Sequence, residues 1–101
     1  MDIETDRKTI TIEIREHANV VIQNLDVPSF GYINETIAIN YDVFNQGGED
    51  MCFCEVKTSD GVVLDRKELT LTPNSTTNIE HLISFDSVGN IDVIVKIGYI
   101  E

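Results

Sequence analysis

Ile37-Ala38-Ile39-Asn40-Tyr41-Asp42-Val43-Phe44 is the stretch that decides the fold. Ile37, Ile39, Tyr41 and Val43 fall on one side of an extended chain, and Ala38, Asn40, Asp42 and Phe44 on the other. This is the period-2 pattern of a half-buried strand, carried by β-branched and aromatic residues that suit a pleated surface. Ile37, Ile39, Tyr41 and Val43 are therefore assigned to the core. Asn45-Gln46-Gly47-Gly48 ends the strand with residues that tolerate positive φ.

Working outward, the same pattern recurs on both sides. Towards the N-terminus, Val20-Val21-Ile22-Gln23-Asn24-Leu25-Asp26-Val27 reads as a strand closed by Pro28, which has no N–H for a ladder. Before it, Thr9-Ile10-Thr11-Ile12-Glu13-Ile14-Arg15 alternates three isoleucines with polar residues and also reads as a strand. Towards the C-terminus, Met51 to Thr58 places Cys52, Cys54 and Val56 on one face. Asp60-Gly61 then signals a tight hairpin turn of the primed type into Val62-Val63-Leu64. Leu69-Thr70-Leu71-Thr72 runs into a turn at Pro73-Asn74-Ser75. Asn78 to Phe85 carries Ile79, Leu82 and Ile83, which would also fit one face of a short helix; its flanking threonines and short length favour a strand. Ile91, Val93, Val95 and Ile97 mark the last strand after Gly89-Asn90. Because Ile94 adds to its apolar character, that strand is expected to be covered on both faces or packed at a sheet centre.

Seven or eight short strands at this spacing, with turn signals between them, describe an all-β antiparallel sandwich, since a lone sheet would leave an apolar face wet. The length of 101 residues allows one core, so residues 1–101 form a single domain. Residues 1–17 are read as a linker or an extra edge strand, and 18–101 as the sandwich core.

Seven Lys and Arg stand against 18 Asp and Glu, a net charge of −11. A phosphate-binding surface rewards clustered cations, so the balance argues against nucleic acid and against anionic membrane surfaces. No cation occurs between Arg15 and Lys57, while Glu16, Asp26, Glu35, Asp42, Glu49, Asp50 and Glu55 fall in that interval. The expected consequence is a local acidic surface. No apolar run is long enough for a membrane helix, and residues 1–6 lack the pattern of a signal peptide.

Few residues invite chemistry. Cys52 and Cys54, two apart on a strand, have Cα atoms roughly 6.6 Å apart, and their parallel Cβ vectors make a disulfide poor. A metal site built on them would have to recruit His17 and His81, so two buried thiols are expected instead. In Glu16-His17 and Glu80-His81 the neighbours point to opposite faces of a strand and form no ready dyad. The serines lie outside any nucleophile elbow, and there is no phosphate loop or His-Glu-x-x-His zinc motif. No catalytic residue, metal ligand or cofactor is assigned. Glu49-Asp50 is the one calcium candidate, as adjacent loop carboxylates after the double glycine. Asn34-Glu35-Thr36 and Asn74-Ser75-Thr76 fit the N-glycosylation acceptor pattern, and both fall in predicted turns.

From about Val20 to Tyr99 the chain resembles the CARDB family, the cell-adhesion-related domain found in bacteria and archaea. Val21-Ile22-Gln23-Asn24-Leu25-Asp26-Val27-Pro28 is similar to the family's opening strand. Glu35 to Gly47 is similar to its extended strand followed by Asn-x-Gly. Leu71-Thr72-Pro73-Asn74-Ser75 resembles its Leu-x-Pro-Gly-x turn, with Asn74 in place of Gly, and Gly89 before Ile91-Asp92-Val93-Ile94-Val95 resembles its last glycine-led strand. The resemblance implies an immunoglobulin-like sandwich without catalytic residues, used as one unit of a larger cell-surface or secreted protein. The expected role is a non-enzymatic spacer or protein-contact module, monomeric in isolation and touching other domains of its parent or other surface proteins. The alternatives are a subunit docking to one dedicated partner in a surface assembly, or a calcium-dependent adhesion or carbohydrate module.

Overall fold

A computed structural model describes residues 1–101 and contains six strands: β1 (Val20–Asp26), β2 (Ile37–Asn45), β3 (Asp50–Thr58), β4 (Val63–Leu71), β5 (Ser75–Ile83) and β6 (Val93–Tyr99). They form two three-stranded antiparallel sheets, ordered β1-β2-β5 and β4-β3-β6. The sheets face each other, with β4 against β5 along one side and β1 against β6 along the other. The result is an all-β sandwich.

Six strands replace the eight expected runs for two physical reasons. Val62–Leu64 and Leu69–Thr72 are parts of one strand, because β4 continues through Asp65-Arg66-Lys67-Glu68 in unbroken register with β3 from Asp50↔Leu71 to Val56↔Asp65. Its charged residues are tolerated on an edge strand. Arg66, for example, bridges Glu55 at 2.7 Å and lies over the Phe53 ring at 4.7 Å on the outer face. The second missing strand is Thr9–Arg15. This segment alternates as a strand should, yet residues 1–19 join no ladder, and Ile10, Ile12 and Ile14 are 69–86% exposed.

The core lies where β2 and β5 face β3 and β4. Ile39, Tyr41, Val43, Cys52, Cys54, Val56, Leu71, Ile79 and Ile83 are buried there. Ile37, assigned to the same core, is only half-buried, because it sits at an open end of the sandwich. The segment 75–83 is strand, not helix; it pairs with β2 residue by residue from Ile37↔Ile83 to Asn45↔Ser75. That register turns Ile79, His81 and Ile83 inward and leaves Leu82 exposed.

The last strand also differs from expectation. β3 is the central strand of its sheet, so β6 occupies an edge. Outward-facing Ile94 is 41% exposed, and inward-facing Val93, Val95 and Ile97 are only partly covered. The sandwich is closed along β4–β5 and looser along β1–β6.

Backbone geometry at the turns refines two further readings. The β3–β4 hairpin has an i→i+3 bond from Gly61 N to Thr58 O, with positive φ at Gly61 alone. This is a three-residue loop with a glycine bulge, not a two-residue primed turn. Gly47 and Gly48 do not adopt positive φ. They are required for close approach: a Cβ on Gly48 would overlap the Glu16 carbonyl, and one on Gly47 would press on the His17 carbonyl. Asn74 does take the left-handed conformation its turn demands, with φ 55°.

Candidate functional site

The two ends of the sandwich differ in character. At one end, where β1 and β5 begin and β2 closes, the chain is tied together by polar groups. Gln46 and Gly48 N–H groups donate to the Asn19 and His17 carbonyls, at 2.9 and 3.0 Å, which docks residues 17–19 on the β2–β3 turn. Ala18 N–H donates to Asp50 Oδ2 at 2.9 Å, and His17 Nδ1 lies 2.8 Å from the same oxygen. The His17 ring also stacks on Tyr99, with centroids 4.2 Å apart. The Ala18 N–H first, and His17 second, hold the Asp50 carboxyl below the usual aspartate range. Beneath them Asn45 is fully buried. Its Oδ1 accepts from Asn19 and Gly47 N–H, while its Nδ2 faces the carbonyls of Gly48, Leu71 and Thr72 at 2.9–3.3 Å. Since Leu71 and Thr72 belong to the opposite sheet's side, this one amide joins both sheets and the N-terminal root.

In the middle lies a buried polar relay. Asp65 on β4 is 2.7 Å from His81 Nδ1 on β5, and His81 Nε2 is 2.8 Å from the Tyr41 hydroxyl on β2. With its proton on Nδ1, the imidazole donates to the carboxylate and accepts the phenol O–H. Cys54 on β3 lies beside Tyr41. Burial pushes the Tyr41 phenol upward, with the nearby Cys54 and Asp65 adding to the effect. Burial also pushes up the Cys54 thiol, with the Tyr41 contact opposing the shift. The relay resembles an acid–base chain, but His81 is 0% exposed. The relay satisfies polar atoms across the sandwich.

The other end is apolar and open. A cavity of about 710 Å³ lies between the ends of β1 and β6 and is lined by Leu25, Val27, Phe30, Phe85, Val88 and Val95, among others. Asn24 explains how β1 contributes to it. At φ 53° it makes a bulge where the β1–β2 register shifts between Gln23 and Asp26. The bulge re-aims Leu25 and Val27 toward the opening. Asn24 Nδ2 also donates to Asp42 Oδ2 at 2.9 Å, and Asn78 donates to Asp42 Oδ1 at 3.1 Å. These two amides hold the Asp42 carboxyl low.

The residues singled out in the sequence are distributed as follows. Cys52 and Cys54 are buried free thiols. Neither histidine pairs with its adjacent glutamate: His17 meets Asp50 and His81 meets Asp65. At the Glu49-Asp50 pair, Asp50 Oδ2 accepts from Ala18 N–H and lies 2.8 Å from His17 Nδ1, and no group of three acidic, His or Cys side chains is placed to share a metal. Asn34 and Asn74 are exposed in turns with positive φ. The acidic run from Glu16 to Glu55 does not make one local surface. Asp42 lies on the outer face of one sheet and Glu55 on that of the other, Glu49 and Asp50 at the polar end, and Glu35 at the apolar end. Local pattern gives neither the burial of Asn45, which reads as a strand-breaking turn residue, nor the inward placement of His81 against Asp65 and Tyr41. The latter was accessible from the Ile79-x-His81-x-Ile83 alternation once the segment is read as strand.

Comparison of the chain with protein-family models, with curated proteins and with solved structures finds no significant match.

Proposed function

We propose that this domain is a non-enzymatic contact module of a larger cell-surface or secreted protein, with an immunoglobulin-like, CARDB-like sandwich as its frame. The observation that carries the reading is the open apolar end: a cavity flanked by the free edges of β1 and β6, with Phe30 70% and Val88 87% exposed at its rim. Apolar groups gathered at a sheet edge fit a protein partner, which can add main-chain hydrogen bonds while filling side-chain pockets. The resemblance at Val21–Pro28, Glu35–Gly47, Leu71–Ser75 and Gly89–Val95 supports the surface setting. The polar relay of Asp65, His81 and Tyr41 supports a structural use of this acid–base chain, because its imidazole and phenol are buried.

Photo-cross-linking on intact producing cells tests this. A cross-linker at Phe30 or Val88 is expected to capture protein, and the same group at Glu68, on the outer face of β4, is not. Protease added to intact cells is expected to remove the protein. A protease-resistant protein with no adduct from either rim position overturns the proposal.

A further inference from the structure

Building on the proposed contact role, we infer that the outer edge of β6 is the docking site for residues 9–15 of a second copy of this chain, which adds there as an antiparallel strand. Two unsatisfied features of the molecule match each other. β6 hydrogen-bonds only to β3, and its inward residues Val93, Val95 and Ile97 are half-covered, the first two lining the apolar cavity. The segment Thr9–Arg15 has the alternation of a strand and nothing to pair with, and its Ile10, Ile12 and Ile14 are 77%, 69% and 86% exposed.

The register that turns these isoleucines inward sets Ile10 opposite Ile97, Ile12 opposite Val95 and Ile14 opposite Val93. The same register sets Arg15 opposite Asp92 and Glu13 diagonal to Lys96, two opposite-charge pairs on the outer face. Thr9 then faces Gly98, over which the Phe53 ring of β3 already packs on the outer face. No residue of the segment meets a like charge.

The segment's root decides between one copy and two. His17 and Ala18 are fastened to Gly48 and Asp50 at the polar end, opposite the cavity. Beyond that root the chain projects, giving the molecule a long axis of 79 Å against 26 and 16 Å across. A nine-residue strand spans only about 30 Å of that length. Folding back onto its own β6 would reverse the chain at Glu16, whose carbonyl is packed on Gly48, and would give a parallel pairing. Insertion into a second copy needs no reversal. The donor's polar end then sits over the acceptor's apolar end, and the segment runs antiparallel to β6, the more stable mode. Donor and acceptor surfaces differ, so each copy can give one strand and take one, and the contact propagates head to tail as a linear polymer.

The test uses the full chain. Light scattering is expected to show mass rising with concentration for the unaltered protein, and a monomer for Ile10→Asp/Ile12→Asp/Ile14→Asp with its melting temperature unchanged. In that monomeric variant, a peptide of residues 8–16 is expected to shift and protect the amides of 93–99. Asp92→Arg is expected to weaken assembly at low salt, and the added Arg15→Asp to restore it. A wild-type monomer at millimolar concentration whose amides ignore the peptide overturns the inference. So do protected amides at 9–15 in a monomer, or assembly that survives the triple substitution. Rim cross-links to other proteins but never to a second copy sink the inference and leave the contact role standing; a protease-resistant protein with no adduct from either rim position sinks both.

Discussion

Replacing Asn45 by alanine should be among the most damaging single changes in this domain. The side chain is 0% exposed and serves five neighbouring backbone groups. Alanine leaves the Asn19 and Gly47 N–H groups without this acceptor and removes the amide donor from the Gly48 and Leu71 carbonyls, while the Thr72 carbonyl keeps the Ser75 hydroxyl. An unpaired buried polar group costs about 1–3 kcal/mol, and part of this loss is recovered if water enters the vacated space. Two orphaned donors alone give about 2–6 kcal/mol, against a total stability of roughly 5–15 kcal/mol for a domain of this size. The corresponding loss in Tm is some tens of degrees, at about 4–8 °C per kcal/mol. Urea unfolding followed by far-UV circular dichroism measures it directly, with an unchanged slope m showing that the two states are otherwise comparable. Amide exchange locates it: Asn19, Gly47 and the start of β3 should lose protection before the middle of β2. Asn45→Asp is a useful companion, since it keeps the acceptor for Asn19 and Gly47 but turns a carboxylate oxygen on the carbonyls. It should be destabilised at neutral pH and partly rescued in acid, where the protonated carboxyl regains a donor. If Asn45→Ala costs less than about 1 kcal/mol, within the range of an ordinary surface change, the amide is not what joins the two sheets and the root.

Tyr41→Phe leaves His81 Nε2 without its phenol partner and should cost about 1–3 kcal/mol. Combined with Asp65→Asn, the loss should be clearly less than the sum of the single effects, and additivity in a double-mutant cycle would show that the three groups do not act as one relay. Acid unfolding should report on Asp42 and Asp50. Their folded pKa values lie below the unfolded one, so the stabilisation is complete above about pH 4 and is lost as pH falls through the depressed folded values. Asp42→Asn and Asp50→Asn should each flatten the stability profile below that pH, and an unaltered profile counts against the hydrogen bonds assigned to them. Burial pushes both the Cys52 and the Cys54 thiols upward, which keeps them protonated at neutral pH. Thiol reagents should therefore label neither in the native protein and both once urea is added; fast native labelling contradicts the packing around β3.

Much of the sandwich is written into local pattern. Ile39, Tyr41 and Val43 on β2, and Cys52, Cys54 and Val56 on β3, alternate in the sequence and are buried as that alternation requires. Gly61 and Asn74 mark turns because few other residues accept those backbone angles. What local pattern misses is who pairs with whom. Thr9–Arg15 alternates as clearly as β2 yet forms no ladder, because a strand needs a neighbour and its root leads it away from the body. β4 crosses a charged stretch that reads as a break, because Asp65 points inward to His81 on a strand that follows it in the sequence.

The sequence by itself determined an all-β chain, most of its strands and half of its core, since side-chain alternation and turn chemistry act over a few residues. Tertiary structure alone decided that β3 and not β6 is central, that Gly47 and Gly48 are needed to let residues 16–18 approach, and that Asn45 and His81 are buried with partners. It also decided that one end of the sandwich stays open beside an unpaired edge. Each of these depends on contacts between residues far apart in the chain, and no short window of sequence contains both partners.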